Sequence, residues 1–281
     1  RAQRYAFGGI SAKKHYLCRR YRHIDRKLMQ QETAPFFSPL PRRMEIPDED
    51  YAQAQVCVAM ADALSRTTNH SIYLIDYNRR NFLYVSSNSL FLCGRTPEEV
   101  QRLDYSFYLE VVPPEEIQTL QAINEAGFRF YYAQPLEKRM DFIIEYDFHI
   151  RASDRHTHLV HHKLTPVLLS PQGDIWLALC VVSLAPTQTA GDILITNRAD
   201  GDRYVYSFAG RRWHKLPALT LSDRERDILQ LSVKGLSNAE VGEALCIDVN
   251  TVKYHKKNIF EKLHAANITE AVGIAANLGL I

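Results

Sequence analysis

Hydrophobic positions along the chain change period twice, and the changes divide it into segments. Between Asp48 and Ser65, the residues Tyr51, Ala54, Val58, Ala61 and Leu64 recur at three and four, which predicts an amphipathic helix with these five on its inner side. From Ser71 the period shortens to two. Ser71–Asp76 and Phe82–Val85 flank a polar turn at Tyr77–Arg80 and read as a hairpin. Short helices are expected at Ser89–Cys93 and Pro97–Arg102. A longer one opens at Pro113 and Pro114, followed by Glu115 and Glu116, because proline fits a first turn and carboxylates suit the positive helix end. Gly127 is expected to stop that helix near Ala126. Next, Met140, Phe142, Ile144, Tyr146, Phe148 and Ile150 alternate with Arg139, Asp141, Glu145, Asp147 and His149, a strand with one buried face. His158–Leu169 is a second long strand, Ser170–Asp174 a turn, and Ile175–Leu184 a third strand, apolar on both faces and therefore central. Asp192–Thr196 and Arg203–Phe208 flank Ala199-Asp200-Gly201-Asp202 as a further hairpin.

After Pro217 the texture turns helical. Ser222 with Glu225, Ser237 with Glu240, and Asn267 with Glu270 all have the spacing of a capping box, and Asp248 is placed to cap a helix between the last two. Four helices result. The short second and the longer third are separated only by about Cys246 and Ile247, which is helix-turn-helix spacing. On the third, Val252, Ile259 and Leu263 form an inward stripe. Asn250, Lys253, Tyr254 and Lys257 form the opposite one, flanked by His255 and Lys256. A helix of this length fits a DNA major groove, where exposed lysines reach guanine acceptors or phosphates.

Composition narrows the class. A chain of 281 residues suggests two domains, and 46% hydrophobic with 23% charged residues is an ordinary globular mix. The net charge of +2 names no partner, but its distribution is uneven. Residues 1–30 carry nine Lys/Arg against one Asp, a basic leader that reads as a phosphate-touching arm or as a solvated extension. Residues 219–281 hold seven Lys/Arg against eight Asp/Glu, with the bases concentrated on the third helix. Five cysteines (Cys18, Cys57, Cys93, Cys180 and Cys246) without a C-x-x-C fit reduced thiols. No apolar run approaches the ~18 residues of a membrane span, and the N-terminus has no secretory h-region, so no membrane partner and a cytoplasmic location are expected.

Candidate chemistry removes further classes. There is no P-loop, no G-x-S-x-G and no H-E-x-x-H, so no enzymatic activity is expected. His149, His156, His158, His161 and His162 lie close in sequence, but neighbouring strand residues point to opposite faces and no thiol or carboxylate completes a set at motif spacing. They are expected at the strand surface, with no metal and no cofactor. Asp76, Asp141 and Glu145 are expected on solvated faces.

The runs L-S-D-R-E-R-D-I-L, G-L-S-N-A-E-V, N-T-V-K-Y-H-K-K-N-I-F-E-K-L and T-E-A-V, in this order, resemble the LuxR/GerE family over about 60 residues. The resemblance implies a bacterial transcription regulator whose recognition helix lies at 249–263. Lys253, Tyr254 and Lys257 would face base edges, and Thr251, His255 and Asn238 would lie nearer phosphates. Asn250 and Lys256 complete the candidate DNA-binding set. The resemblance also implies a homodimer formed through the fourth helix, around Ala271, Ile274, Ala275 and Leu278. Two residues depart from the family pattern, the bulky Tyr254 and the apolar Val249, and both bear on which DNA sequence is read. Upstream, Tyr73-Leu74-Ile75-Asp76, Tyr84-Val85-Ser86, Phe91 to Glu99, His162 to Pro166 and Gly173 to Trp176 resemble a PAS domain over about 115 residues. That implies a sensor or dimerisation module. A small molecule or a protein serves equally as its signal, and a packed core without ligand is an equal reading.

The expected fold class is therefore α+β: a PAS-like five-stranded antiparallel sheet with flanking helices, followed by an all-α, four-helix LuxR-type helix-turn-helix domain. The expected divisions are a basic extension at 1–47, a flanking helix at 48–70, the PAS-like domain at 71–186, a hairpin linker at 187–216 and the DNA-binding domain at 217–281. The expected function is sequence-specific binding of double-stranded DNA in transcription regulation. The alternative is a protein–protein signalling adaptor whose helical domain does not read DNA, or a ligand-binding sensor without regulation.

Overall fold

The computed structural model describes residues 31–38, 40, 44–152, 156–190, 193–217 and 219–281. The basic leader at 1–30, with Cys18, lies outside the described residues. Helix α1 (Tyr51–Thr67) follows one 3-10 turn at Asp48–Asp50. Strands β1 (Ser71–Asp76) and β2 (Asn81–Val85) form the first hairpin. Four helices follow: α2 (Ser89–Leu92), α3 (Pro97–Leu103), α4 (Ser106–Val111) and α5 (Pro114–Tyr132). Strands β3 (Phe142–Arg151), β4 (Thr157–Leu169) and β5 (Ile175–Leu184) complete the five expected, paired antiparallel in the order β2-β1-β5-β4-β3. β5 is central, as its two apolar faces require.

Three more strands extend this sheet. β6 (Ile193–Asn197) pairs with β3, β7 (Arg203–Ser207) with β6, and β8 (Arg212–Lys215) with β7. The segment expected as a hairpin linker is thus an edge of the sheet. Its hold is aromatic: Phe130 of α5 meets Phe142, Tyr204 and Trp213, with ring centroids 5.0–5.3 Å apart.

Helix α5 runs through Gly127 to Tyr132 instead of stopping there. A side chain at 127 would place its Cβ 2.8 Å from Ile144 Cδ1, so the glycine serves close helix–sheet packing, not termination. Helices α2 to α5 cover the face that carries Tyr73, Ile75 and Phe148, while α1 crosses the opposite face, where Ala61 packs on Ile72 and Leu74. Leu64, expected to point inward, is exposed with Val56 and Met60, because Ala54, Ala61 and Ser65 supply the packing face.

Acidic residues expected in water are buried where partners surround them. Asp76 accepts from the amides of Asn78 (2.9 Å) and Arg79 (3.0 Å) and from the Tyr51 hydroxyl (3.1 Å). Glu145, 5% exposed, and Asp147 sit on β3 behind His161 of β4. The imidazole bridges them, with Nδ1 2.6 Å from Asp147 Oδ1 and Nε2 3.2 Å from Glu145 Oε2. Next to it, Lys163 Nζ lies 3.3 Å from Glu145 and donates to the Asn277 carbonyl of the C-terminal segment (2.5 Å). Burial alone would lower the His161 pKa, yet the bonds to Asp147 and Glu145 outweigh it and raise the imidazole above its ordinary value. His162, also expected at the surface, points to the other face and is 1% exposed.

Candidate nucleic-acid interface

Residues 219–281 build a separate core around Ile228, Leu229, Val241, Val252 and Ile259. Four helices contribute: α6 (Asp223–Val233), α7 (Asn238–Leu245), α8 (Val249–Leu263) and α9 (Ile268–Asn277). Their starts follow from the sequence. Ser222 and Ser237 make complete capping boxes with Glu225 and Glu240. Asp248 accepts from the Asn250 amide at 2.7 Å. The expected third box is only half formed: Asn267 accepts from the Glu270 amide (3.0 Å), but the Glu270 carboxylate turns to the Ala266 amide (2.8 Å).

The turn between α7 and α8 is tight. Cys246 takes a left-handed conformation, φ 54°, and the Ile247 amide closes onto the Gly242 carbonyl at 2.9 Å. At Gly242 a Cβ would stand 2.8 Å from the Ile247 carbonyl oxygen, so only glycine lets the two helices approach this closely. A second lock joins residues far apart in sequence. Lys262 of α8 reaches the Glu225 carboxylate at 2.7 Å and the Thr220 carbonyl at 3.3 Å. Burial would raise the Glu225 pKa, but Lys262 and Ser222 together hold it below the ordinary carboxylate value. The capping box marked Glu225 in the sequence; nothing marked its distant partner.

On α8, Val252, Ile259 and Leu263 point into the core. The opposite ridge is open: Asn250, Thr251, Lys253 and Lys257 are exposed and Tyr254 is 62% exposed, its ring 5.7 Å from that of His255. Among the described residues Lys257 is paired with Glu261 on the same surface, at 3.8 Å. His255 and Lys256 are half-buried on the flanks, and partial burial lowers the Lys256 pKa. Asn238 is half-buried at the start of α7. The structure therefore leaves Asn250, Thr251, Lys253, Tyr254 and Lys257 exposed on the side of α8 away from its core stripe.

Residues 219–275 match the family model of bacterial regulatory proteins, luxR family. The C-terminal segment is a GerE/LuxR helix-turn-helix domain. Over 65 residues the chain is 40% identical to the regulatory protein SdiA of Escherichia coli (strain K12), which covers 23% of this chain and 27% of SdiA. Over 61 residues it is 49% identical to the HTH-type quorum-sensing regulator RhlR of Pseudomonas aeruginosa, covering 22% of this chain and 25% of RhlR. The chain thus spans about a quarter of the length of these curated relatives. It is also similar to the solved VqmA–ligand–DNA complex from Vibrio cholerae, over 81% of this chain and 88% of that one, at 16% identity and a TM-score of 0.31. That likeness is too remote to fix fold or function.

Against the expected dimer contact, Ala271 and Ala275 are fully buried in the domain's own core, where α9 closes over α6 and α8. Ile274 and Leu278 are half-buried. The small alanines let α9 seat deeply, and that use removes them from any surface in this arrangement. Helix α9 also rests against the segment after β5: a Cβ at Gly273 would stand 2.7 Å from Pro186 Cβ, beside the Lys163–Asn277 bond.

Two small spaces lie between the sheet and its helices. One, about 50 Å³, lies among Tyr77, Phe128, Phe142, Ile144, Leu164 and Ile195. The other, about 10 Å³, is bounded by Phe36, Tyr108, Tyr146 and His162. Tyr77, Asn124 and Leu164 border both. His162 Nε2 lies 2.6 Å from the Tyr73 hydroxyl, which is 2.5 Å from that of Tyr108. The four described cysteines are free thiols.

Proposed function

We propose that this chain is a DNA-binding transcription regulator acting in the cytoplasm without enzymatic activity, and that the ridge of α8 enters the major groove of duplex DNA. The observation that carries the reading is the exposure of Lys253, Tyr254 and Lys257 on the core-free side of α8, within a GerE/LuxR domain. A cationic, hydrogen-bonding ridge on a helix fixed by a rigid two-helix corner suits guanine edges and phosphates. Thr251 and Asn250 at the helix start, with Asn238 and His255 beside them, are assigned to the backbone of the DNA, and Lys256 to a flanking phosphate. Two copies acting on two half-sites supply the reach that a single helix lacks. In the arrangement described here Ala271 and Ala275 take no part in that dimer. Crosslinking of free and DNA-bound protein tests it, and a strict monomer on its operator ends the dimer part.

The PAS-like part is assigned the sensing role, with the two spaces between its sheet and helices as the site. Genome-wide mapping of DNA bound by the full chain tests the whole reading. Enrichment of a recurrent motif is the expected result; recovery of sequence-random DNA at background level contradicts it.

A further inference from the structure

The eight-stranded sheet ends in two unlike edges. At one, β2 is tied to α3, where Gln101 Nε2 donates to the carbonyls of Phe82 (3.3 Å) and Leu83 (3.0 Å). At the other, β8 has a strand neighbour on one side alone. The Leu216 amide bonds to the Arg203 carbonyl at 2.8 Å. Amides alternate along an antiparallel pair, so those of Trp213 and Lys215 point away from β7, off the sheet. Outward amides of this kind are free to bond a partner.

The charge of this edge is one-sided. Residues 203–217 carry Arg203, Arg211, Arg212 and Lys215 and no aspartate or glutamate. Two of the four are occupied: Arg203 is half-buried, and Lys215 is paired with Asp202 at 2.5 Å. Arg211 and Arg212, at the tip of the β7–β8 hairpin, are exposed, and among the described residues neither joins an ion pair. Arg212 Nε donates to His214 Nε2 at 3.2 Å, which uses one of its five donors. Glu125, which borders the same surface groove as Arg211, is held by Arg129 at 2.8 and 3.0 Å. The tip is also bound to stay near the helical domain. Lys215 and Thr220 are five residues apart, at most ~18 Å of extended chain, and the Thr220 carbonyl accepts from Lys262 of α8. Arg211 lies four positions before Lys215, about 13 Å of strand. The tip therefore lies within roughly 30 Å of the end of α8, less than the ~34 Å of one duplex turn. Planar, permanently charged guanidinium groups beside outward amides match phosphate oxygens.

We propose that Arg211 and Arg212 form a second DNA contact, on the PAS-like sheet, which grips backbone phosphates flanking the site read by α8. The proposal rests on the DNA-binding role assigned above. The contact carries no sequence preference; it adds affinity and fixes where the sheet stands beside the duplex. The competing use of such charge is to keep the edges of two sheets apart, and that use predicts no effect on DNA binding.

The test titrates the full wild-type chain and the double variant Arg211→Ala, Arg212→Ala against two duplexes over about 50 to 200 mM salt. One is the mapped operator alone; the other carries about 15 further base pairs of arbitrary sequence on each side, more than one turn. On the long duplex the variant binds about 10-fold more weakly at about 100 mM salt, and its log–log salt slope is shallower by about 1.8 per chain bound, two phosphates at ~0.9 each. On the bare operator the two proteins bind alike, and changing the flanking sequence leaves the difference on the long duplex intact. Arg211→Lys with Arg212→Lys, which keeps the charge, restores the slope. If the alanine pair fails to fold, Arg211→Gln with Arg212→Gln, which keeps most of each stem without the charge, gives the same loss. Equal affinity and equal slope of a folded variant and the wild type on the long duplex overturn this contact while leaving α8 in its groove. A wild type that binds neither duplex overturns the DNA-binding reading and this contact together.

Discussion

Replacing Lys253 and Lys257 together by alanine lowers affinity for operator DNA about 100-fold without unfolding the helical domain. Each lysine that touches a base or phosphate contributes roughly 1–3 kcal/mol, and the two lie one turn apart on the same ridge, so their losses fall within one contact surface. Neither side chain supports the fold. Both are exposed, and the pair of Lys257 with Glu261 is a loose surface one. The comparison that sharpens the result is Lys262→Ala. That residue holds the Glu225 carboxylate and the Thr220 carbonyl, so its loss destabilises the domain while leaving the ridge chemically intact. Gel-shift titration against the mapped operator, with circular dichroism as the fold control, separates the two effects. A double variant that is folded and binds as the wild type does removes α8 from the interface.

The second large effect is acid unfolding driven by His162. Burial pushes its pKa down from 6.5 to about 3, so the folded chain holds it neutral where the unfolded chain protonates it. A depressed pKa stabilises the fold above the unfolded value and loses that stabilisation as pH falls toward the folded one. Between pH 6.5 and 4 this single group removes about 3 kcal/mol, at roughly 1.4 kcal/mol per pH unit. Glu145 adds to the same limb below pH 4.5. Burial would raise its pKa, but His161 and Lys163 lower it, so its contribution is lost as pH drops through the folded value. His161, its neighbour on the opposite face, has the reverse sign: its raised pKa stabilises the fold below 6.5, and that contribution fades as pH rises through the folded value. Urea unfolding across pH 4 to 8 reads both limbs. His162→Phe, which keeps a flat ring in the site, flattens the acid limb. A His162→Phe chain with the same slope as the wild type between pH 6.5 and 4.5 contradicts this assignment.

The C-terminal domain was largely legible because its signals are local. Capping residues sit three positions from their partners, and the apolar stripe of Val252, Ile259 and Leu263 lies within one helix, so helix limits and the exposed ridge follow from short-range chemistry. What was missed depends on which elements meet across the fold. The alternation in β3 shows that one face is apolar, but it is silent on whether the other meets water. That face meets His161, Lys163 and the C-terminal helix, which is why Glu145 and Asp147 are buried. Gly127 resembles a helix stop until Ile144 is seen pressing on it. Phe36 follows Pro35 with no periodic apolar pattern around it, and its burial against the Tyr105–Tyr108 pair joins residues about seventy positions apart. The resemblance implies a dimer contact at Ala271 and Ala275, yet small side chains serve equally to seat α9 on its own core, where both are buried.

Covalent lysine labelling of the full chain, free and bound to its operator, tests the central claim most directly. If the ridge of α8 lies in the groove, Lys253 and Lys257 lose reactivity on binding while Lys234, exposed after α6, keeps its own. Unchanged labelling of Lys253 and Lys257 in a saturated complex would place the DNA elsewhere on the molecule.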